Sequence, residues 1–243
     1  MINIQRGEIY KLGQHMLMCG DATNPEDIQK LIGTDTINLV LTDPPYGNKG
    51  IQRKSGAVGG GKIFKTRDYI AAKPYPKIVG NGNTMAALKH YEIAKTLTDN
   101  LIFWGGQYYT DFLPVSPGWI YWDKRMDHTK FGHGELAWTS KGTRIRCYRF
   151  TWNGCVRQGS TALNLKTRIH PTQKNVELHM KILEDYSKPD DIVLDAFLGS
   201  GTTLIACNET GRKCLGMEIS EEYCSLVIDR YEKLTGIKAE RML

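Results

Sequence analysis

The sequence predicts an α/β fold built on a doubly wound, mostly parallel sheet, and two segments carry this prediction. The first, "INLVLTDPPYG" at residues 37–47, is a run of Ile, Leu and Val that ends at two prolines, which is typical of an interior strand in a parallel sheet. The second, residues 190–220, has the pattern strand, glycine turn, helix, strand. Between them, residues 83–100 predict an amphipathic crossover helix whose apolar face holds Met85, Leu88, Ile93 and Leu97.

The length and composition bound the class of protein. A chain of 243 residues is long enough for one large α/β domain, or for one domain with an inserted lobe. No run of about eighteen apolar residues occurs, and the N-terminal stretch lacks the apolar segment of a signal peptide, so we expect a cytoplasmic protein with no membrane partner. Six cysteines without a C-x-x-C pair indicate neither a zinc site nor a disulfide framework.

The strand at residues 37–42 ends in a group of residues that can carry chemistry. Asp43 and Tyr46 follow the strand directly, separated by Pro44 and Pro45. In an open α/β sheet, ligands bind in the crevice beyond the carboxyl ends of the strands, so this strand would deliver both side chains to a site. The alternative is a simple turn, because Asp-Pro and Pro-Pro are common in loops.

The second segment predicts a nucleoside site. Gly199 and Gly201 would let a ligand approach the backbone, and Glu218 at the end of the next strand could bind two ribose hydroxyls. A dinucleotide site is the alternative, but it requires a third glycine where Leu204 stands. Asp195, in front of the glycine turn, would repel a phosphate and attract a cation. S-Adenosylmethionine, which has a ribose, an ammonium and a sulfonium, fits this pattern better.

Positive charge is concentrated in two segments, although the net charge is only +6. Residues 47–80 carry eight basic residues against one acid, and residues 136–176 carry eight against none, or +7 and +8. Segregation of this size predicts a polyanionic partner, and nucleic acid is the obvious one. Tyr148, Phe150 and Trp152 could stack on bases, or could form one face of a strand.

Six motifs follow one another along the chain in the same order as in the S-adenosylmethionine-dependent DNA amino-methyltransferases, and they resemble the motifs of that family. The resemblance is specifically to the permuted β group, in which the catalytic motif precedes the cofactor motif. The resemblance implies a Rossmann-like class I methyltransferase fold with a circularly permuted motif order. It also implies a single domain, 1–243, with a mobile basic loop at 47–80 and a small target-recognition region at 125–169. The motifs are "CGDA" (19–22), "TDPPYG" (42–47), "FWGGQYY" (103–109), "HPTQK" (170–174), "DAFLGSGTT" (195–203) and "GMEIS" (216–220).

The resemblance implies roles for the first strand end. Asp43 and the carbonyl of Pro44 would accept hydrogen bonds from the exocyclic amino group of a target base, while Pro45 completes the turn and Tyr46 stacks on the ring. An aromatic amine is a poor nucleophile because its lone pair is delocalised. Two hydrogen-bond acceptors on its hydrogens favour a pyramidal nitrogen with a localised lone pair. This is catalysis by preorganised polar groups, and it requires no metal.

The resemblance also implies a cofactor-binding set. Glu218 would bind the ribose and Asp21 the adenine amino group, and Thr172, Gln173 and Lys174 would hold the methionine carboxylate. Asp21 and Thr172 could instead cap the helices that follow them, and His170 is expected to be structural. The residues implied in this set are Asp21, Thr172, Gln173, Lys174, Asp195, Phe197, Gly199, Gly201, Thr202 and Glu218.

The function implied is methylation of adenine N6 in double-stranded DNA by a base-flipping enzyme, as in restriction-modification systems, acting as a monomer or homodimer. Asp at the head of the catalytic motif favours adenine in this family, and N4 of cytosine is the alternative. An RNA or protein-amide methyltransferase is a further alternative, because amide nitrogens and the amines of bases are both poor nucleophiles. Attack at ring carbon C5 is not expected, because the chain has no Pro-Cys dipeptide to supply a thiolate.

Overall fold

The computed structural model describes residues 2–47, 83–127, 132–152, 158–165 and 169–242. Within them, ten strands form one sheet in the order β10-β1-β2-β9-β8-β3-β4-β6-β5-β7. The central strands β2, β9, β8, β3 and β4 are parallel, and β6 lies antiparallel between β4 and β5. The strands are β1 Ile9–Leu12, β2 His15–Cys19, β3 Leu39–Thr42, β4 Leu101–Trp104, β5 Trp119–Asp123, β6 Gly134–Thr139, β7 Ile145–Arg149, β8 Ile192–Asp195, β9 Lys213–Glu218 and β10 Glu240–Arg241.

Helices cover both faces of this sheet, as expected for a doubly wound fold. One hydrophobic core contains residues of α4, α5 and α6, and the other contains residues of α1 and α2. The α-helices are α1 Pro25–Ile32, α2 Met85–Leu97, α3 Thr161–Asn164, α4 Val176–Tyr186, α5 Thr202–Thr210 and α6 Glu221–Thr235, and a short 3-10 helix spans Gly106–Tyr108. None of the helices that the structure describes has the length and apolar character needed to cross a membrane.

The apolar face predicted for α2 is correct in part, since Ile93 and Leu97 are half-buried and pack against the core. The buried residues of α2 are Ala87, His90, Tyr91 and Ala94, whereas Met85 is 48% exposed. Two alanines let the helix approach the sheet closely, and the His90 ring packs against the Phe103 and Phe197 rings, with Nδ1 3.1 Å from the Ala22 carbonyl.

Asparagines cap the helices that follow the motifs "CGDA" and "HPTQK". Asp21 and Thr172 do not cap them. Asn24 Oδ1 accepts a hydrogen bond from the Glu26 amide at the start of α1. Asn175 Oδ1 accepts one from the Leu178 amide, 2.8 Å away, at the start of α4. Because these positions satisfy the free amides of the first turn, the capping alternative for Asp21 and Thr172 is wrong.

The described part of the 136–176 segment is less basic at its surface than the sequence indicates. Carboxylates from other parts of the chain lie beside four of its basic residues, because folding brings distant segments together. The ion pairs are Lys141–Asp99 (2.6 Å), Arg146–Asp185 (3.1 Å), Arg149–Asp123 (3.2 Å) and Lys174–Asp43 (2.5 Å).

Strand β7 shows why the rings in this segment are not free to stack. It joins the main sheet as its edge strand, beside β5. Tyr148 and Phe150 pack against the core, and Trp152 is buried with its indole N–H bonded to the Gln173 carbonyl, 3.1 Å away. The strand-face alternative therefore holds for Tyr148, while Phe150 and Trp152 pack with the same core just beyond the end of the strand. The role of residues 125–169 in target recognition stays a prediction, and the basic loop at 47–80 lies outside the described residues apart from Gly47.

Candidate active site

A cavity of about 290 Å³ opens at the carboxyl edge of the parallel strands. Strands β3, β8 and β9 end there at Thr42, Asp195 and Glu218, as the sequence motifs predict. Most of the predicted site residues line this cavity, namely Asp21, Asp43, Pro44, Pro45, Tyr46, Thr172, Gln173, Lys174, Asp195, Phe197, Gly199, Thr202 and Glu218. Gly201 stands at the beginning of α5 behind the lining residues.

Asp195 lies at the floor of the cavity and is held by three donors. Its Oδ1 accepts hydrogen bonds from the Thr42 hydroxyl (3.1 Å) and the Phe197 amide (3.1 Å), and its Oδ2 accepts one from the Thr203 hydroxyl (2.5 Å). Burial raises the pKa of this carboxyl to about 7, against the opposing effect of the hydrogen bonds. The side chain can therefore change its ionisation when a cation enters the cavity.

Glu218 is fixed at the end of β9 by backbone amides. Its Oε2 accepts a hydrogen bond from the Gly199 amide (2.9 Å) and its Oε1 accepts one from the Ser220 amide (3.0 Å). Burial raises the pKa of Glu218 above its ordinary value, although the amide hydrogen bonds oppose this effect. A carboxylate held in this way still has lone pairs for two hydroxyl groups of a ligand.

The glycine turn after β8 has the conformation that only glycine adopts without strain. Gly199 and Gly201 have φ values of +53° and +79°. A Cβ on Gly201 would lie 2.9 Å from a methyl carbon of Val227, so a side chain there would also push α6 away. The turn brings the Gly199 amide to Glu218, which ties the two predicted cofactor contacts together.

Asp43 and Tyr46 contact each other on the opposite side of the cavity. The Tyr46 hydroxyl donates a hydrogen bond to Asp43 Oδ1 (2.5 Å), and the Tyr46 ring stacks on Tyr108 with centroids 5.1 Å apart. The Tyr109 hydroxyl donates to the carbonyls of Pro44 (2.8 Å) and Pro45 (3.2 Å). "FWGGQYY" thus contributes to the site through both tyrosines, and these contacts fix the turn that carries Asp43.

The motif "HPTQK" meets the site differently from the prediction. The Gln173 side chain is bonded to the Asn164 carbonyl (2.8 Å) and the Ile169 amide (3.1 Å), which leaves it part of the loop structure. Lys174 Nζ contacts Asp43 Oδ2 (2.5 Å) and Glu135 Oε2 (3.1 Å). Contact of these residues with a methionine carboxylate stays a prediction.

His170 lines the cavity, and its structural role stays a prediction that its contacts favour. Its Nδ1 lies 3.1 Å from the Thr172 hydroxyl, and its ring packs on Tyr223 with centroids 4.5 Å apart. Burial, together with the nearby Lys174 ammonium, lowers the pKa of His170 to about 3. A neutral ring at physiological pH can orient Thr172, but it is a weak base.

Asp21 lies at the rim of the cavity. Its Oδ1 accepts hydrogen bonds from the Thr23 amide (2.9 Å) and hydroxyl (2.8 Å), and its Oδ2 is 3.6 Å from Arg6. These bonds hold the carboxylate over the opening, where it can accept a further hydrogen bond from an amino group.

Sequence reasoning missed Glu135 and Lys124. Glu135 stands at the beginning of the antiparallel strand β6, which enters the sheet at the same edge where the parallel strands end. Lys124 follows β5 and forms an ion pair with Glu135 Oε1. A charged residue inside the apolar pattern "GELAW" was the available signal, since an acid there needs a partner.

Comparison with known proteins finds similarity to DNA methylases. Residues 138–229 match the family model described as DNA methylase. The putative methylase YubD of Escherichia coli is 27% identical over 203 residues, which cover 78% of this chain and 79% of YubD. The DNA adenine methyltransferase YhdJ of Escherichia coli is 41% identical over 73 residues, which cover 30% of this chain and 25% of YhdJ.

The part of the chain that matches the DNA methylase family model contains the motifs "HPTQK", "DAFLGSGTT" and "GMEIS". Among solved structures, the cytosine-N4-specific PvuII DNA methyltransferase superposes with a TM-score of 0.56, covering 90% of this chain and 89% of that enzyme. At 15% identity this likeness shows a shared fold, which confirms the predicted class I methyltransferase architecture.

We predict that Gly105→Ala displaces the Tyr46 ring, because a Cβ at Gly105 would lie 2.3 Å from Tyr46 Cε1. Gly211→Ala is the matched control, since Gly211 has a similar positive φ (+69° against +76°) and nothing within 4 Å of the added Cβ. Both variants should lose about 1 kcal/mol of stability from backbone strain, and Gly105→Ala should lose more because its Cβ also clashes with the Tyr46 ring.

Only Gly105→Ala should also lower the rate of methyl transfer, by about 10- to 100-fold, as expected when a reacting group is misplaced. Thermal unfolding and single-turnover rates measure the two effects separately. Equal rates for the two variants would show that the contact with Gly105 does not position Tyr46.

Proposed function

We propose that this protein transfers a methyl group from S-adenosylmethionine to the exocyclic N6 of adenine in double-stranded DNA. The observation that carries the proposal is that two sets of carboxylate residues, with different hydrogen-bond partners, line opposite sides of one cavity. Asp195 and Glu218 lie on one side of it, and Asp43 with Tyr46 lies on the other. A donor and an acceptor can therefore meet between the two halves.

The cofactor side fits S-adenosylmethionine by the chemistry of its residues. Glu218 has lone pairs for the two ribose hydroxyls, Asp195 offers a carboxylate to the ammonium, and Asp21 at the rim can accept from the adenine amino group. Gly199 and Phe197 form the wall between them. When bound, S-adenosylmethionine supplies an electrophilic methyl group on a sulfonium.

The base side acts on the amine through acceptors. The Asp43 carboxylate can accept a hydrogen of the exocyclic amine, which localises the nitrogen lone pair and makes the nitrogen a better nucleophile. The same carboxylate lies next to the nitrogen when it becomes cationic and must release a proton. The Pro44 carbonyl is a second acceptor, and its bond to Tyr109 holds it in place. The target base must leave the duplex to reach these groups.

Adenine is favoured over cytosine by the Asp at the head of the catalytic motif, and YhdJ, a DNA adenine methyltransferase, is among the relatives. The PvuII enzyme acts on cytosine, but its likeness to this chain is one of fold. The test is to incubate the protein with labelled S-adenosylmethionine and unmethylated plasmid DNA, and to identify the nucleoside by mass spectrometry.

We expect N6-methyladenine as the product of that incubation, and no methylated RNA or protein when these replace the DNA. N4-methylcytosine would overturn the choice of base and leave the chemistry of the site intact. The proposal would be refuted if neither adenine nor cytosine of the DNA carried the labelled methyl group.

We predict that Asp43→Asn and Glu218→Gln separate the two halves of the cavity, since both changes keep the shape of the side chain. Asp43→Asn should lower the rate of methyl transfer by about 10² to 10³, because it removes a preorganised acceptor. Glu218→Gln should raise the KM for S-adenosylmethionine by a larger factor than it lowers kcat, because ribose contacts act in the ground state as well.

Kinetics at saturating DNA and varied cofactor measure both effects. The roles would have to be exchanged or abandoned if Asp43→Asn lost only cofactor affinity, or if Glu218→Gln lost only turnover at saturating cofactor.

We predict that the affinity for S-adenosylmethionine rises with pH up to about 7, because the pKa of Asp195 is about 7 in the free protein. Only the ionised carboxylate attracts the ammonium, so binding below that pH must release a proton. The affinity should increase by about fivefold from pH 6 to pH 7.

Isothermal titration in buffers of different ionisation enthalpy measures the proton release directly. Asp195→Asn is the control, and it should bind more weakly and with less dependence on pH. The same slope in both proteins would assign the titration to another group, with Glu218 as the next candidate because its pKa is also raised.

A further inference from the structure

Four charged side chains of alternating sign form a continuous chain at the base side of the cavity. Lys124 contacts Glu135 Oε1, Glu135 Oε2 is 3.1 Å from Lys174 Nζ, and Lys174 Nζ is 2.5 Å from Asp43 Oδ2. The Tyr46 hydroxyl ends the chain on Asp43 Oδ1. These residues come from four separate parts of the sequence, so the fold assembles them.

Lys174 is the centre of this chain and is almost completely buried, with 6% of its side chain exposed. Its ammonium lies 5.4 Å from the ring centroid of Trp104 and 5.8 Å from that of Tyr46. Burial by itself would lower the pKa of Lys174, but Asp43 and Glu135 outweigh it and hold that pKa above its ordinary value. The ammonium therefore depends on both carboxylates to keep its charge.

Glu135 depends equally on the two lysines. Burial would raise its pKa, but Lys174 and Lys124 outweigh that effect and lower it to about 2. A buried charge without a partner is strongly unfavourable, whereas a paired one is tolerated. Glu135 is thus ionised at neutral pH, and it forms an ion pair with the same ammonium that contacts Asp43.

We propose that Glu135 is a positioning residue for methyl transfer, which anchors the Lys174 ammonium so that Lys174 fixes the Asp43 carboxylate in its orientation toward the target amine. The proposal rests on the function proposed above. It differs from the role that the sequence motif implies for Lys174, because it directs the ammonium to the base side of the cavity.

The sharing of Lys174 between two carboxylates explains how Asp43 can remain a good acceptor. An ammonium paired with Asp43 alone would be free to move around the carboxylate and compete with the substrate amine for its lone pairs. With the Glu135 carboxylate 3.1 Å away as a second ion-pair partner, the ammonium is held in place, so that Lys174 orients Oδ2 and leaves acceptor capacity on Asp43 for the amine.

The other titratable groups facing Lys174 stay in one state over the relevant pH range. His170 and His179 lie on the side of α4, and burial, assisted by the Lys174 charge, lowers the pKa of each to about 3. Burial and the Asp43 charge raise the pKa of Tyr46 well above 10. Loss of activity at alkaline pH through this chain would therefore report deprotonation of Lys174.

The test compares Glu135→Gln with wild type in single-turnover methylation of unmethylated plasmid DNA between about pH 6 and 11, a range that includes the ordinary pKa of a lysine. We expect the rate at neutral pH to fall about 10- to 100-fold, with the affinity for S-adenosylmethionine unchanged. The alkaline fall in rate should move to lower pH by about one unit, because Lys174 loses one of its two carboxylates.

Two further variants give results that a merely structural role of Glu135 would not produce. Lys124→Met leaves the Glu135 charge undivided for Lys174, so the alkaline fall should move to higher pH. Adding Lys174→Arg to Glu135→Gln should remove the fall from the measured range, because a guanidinium stays protonated. Glu184→Gln is the matched control, since Glu184 forms an exposed ion pair with Lys181 outside the cavity and should behave as wild type.

The proposal is overturned if Glu135→Gln, shown to be folded by circular dichroism, keeps the wild-type rate and pH profile, or if it loses cofactor affinity instead of rate. If Glu135→Gln does not fold, Lys124→Met decides alone through the direction of its shift. A wild-type protein that methylates no DNA would refute the proposed function, which is a result distinct from either of these.

Discussion

The carboxylate of Asp195 joins the two halves of the site. It accepts a hydrogen bond from Thr42, the last residue of β3, although the two residues are 153 positions apart in the sequence. Strands β3 and β8 are neighbours in register, with Leu39 opposite Val193 and Val40 opposite Leu194, so the hydrogen bond fixes the point at which both strands end. Asp43 follows Thr42 directly, and its distance from the cofactor side is therefore set by this contact.

The parts of the site that the sequence predicts are those whose position follows from a local sequence pattern. Asp43, Asp195 and Glu218 each follow an apolar run that is long enough to be a buried strand, and parallel strands end at one edge of a sheet. The glycine turn can also be predicted locally, because Gly199 and Gly201 allow the positive φ values that the turn requires. By contrast, Glu135 enters the site from the beginning of an antiparallel strand, and nothing local indicates the direction of β6. Its importance depends on Lys124 and Lys174, which come from other segments.

Electrostatic inference from the sequence had the same limit. The segment 136–176 contains no acid. In the folded chain, however, Asp99 lies beside Lys141, Asp123 beside Arg149 and Asp185 beside Arg146. Arg146 and Arg149 point to opposite faces of the edge strand β7, and each finds a carboxylate there. A run of like charges predicts the local field only where the fold does not supply counter-charges. Lys141 and Arg144 precede β7 at the edge opposite the cavity, so they cannot contact a base bound at Asp43.

The two sides of the cavity treat their carboxylates in opposite ways. Asp43 and Glu135 have resident cations, so their charges are compensated before any ligand arrives. In the described part of the chain, Asp195 and Glu218 accept hydrogen bonds from hydroxyls and amides, and burial raises the pKa of both. A cationic ligand with hydroxyl groups would complete the second pair, while a resident cation there would compete with it. This difference supports the proposed function, because methyl transfer from a sulfonium to a base pairs a positively charged nucleoside on one side with a neutral amine on the other.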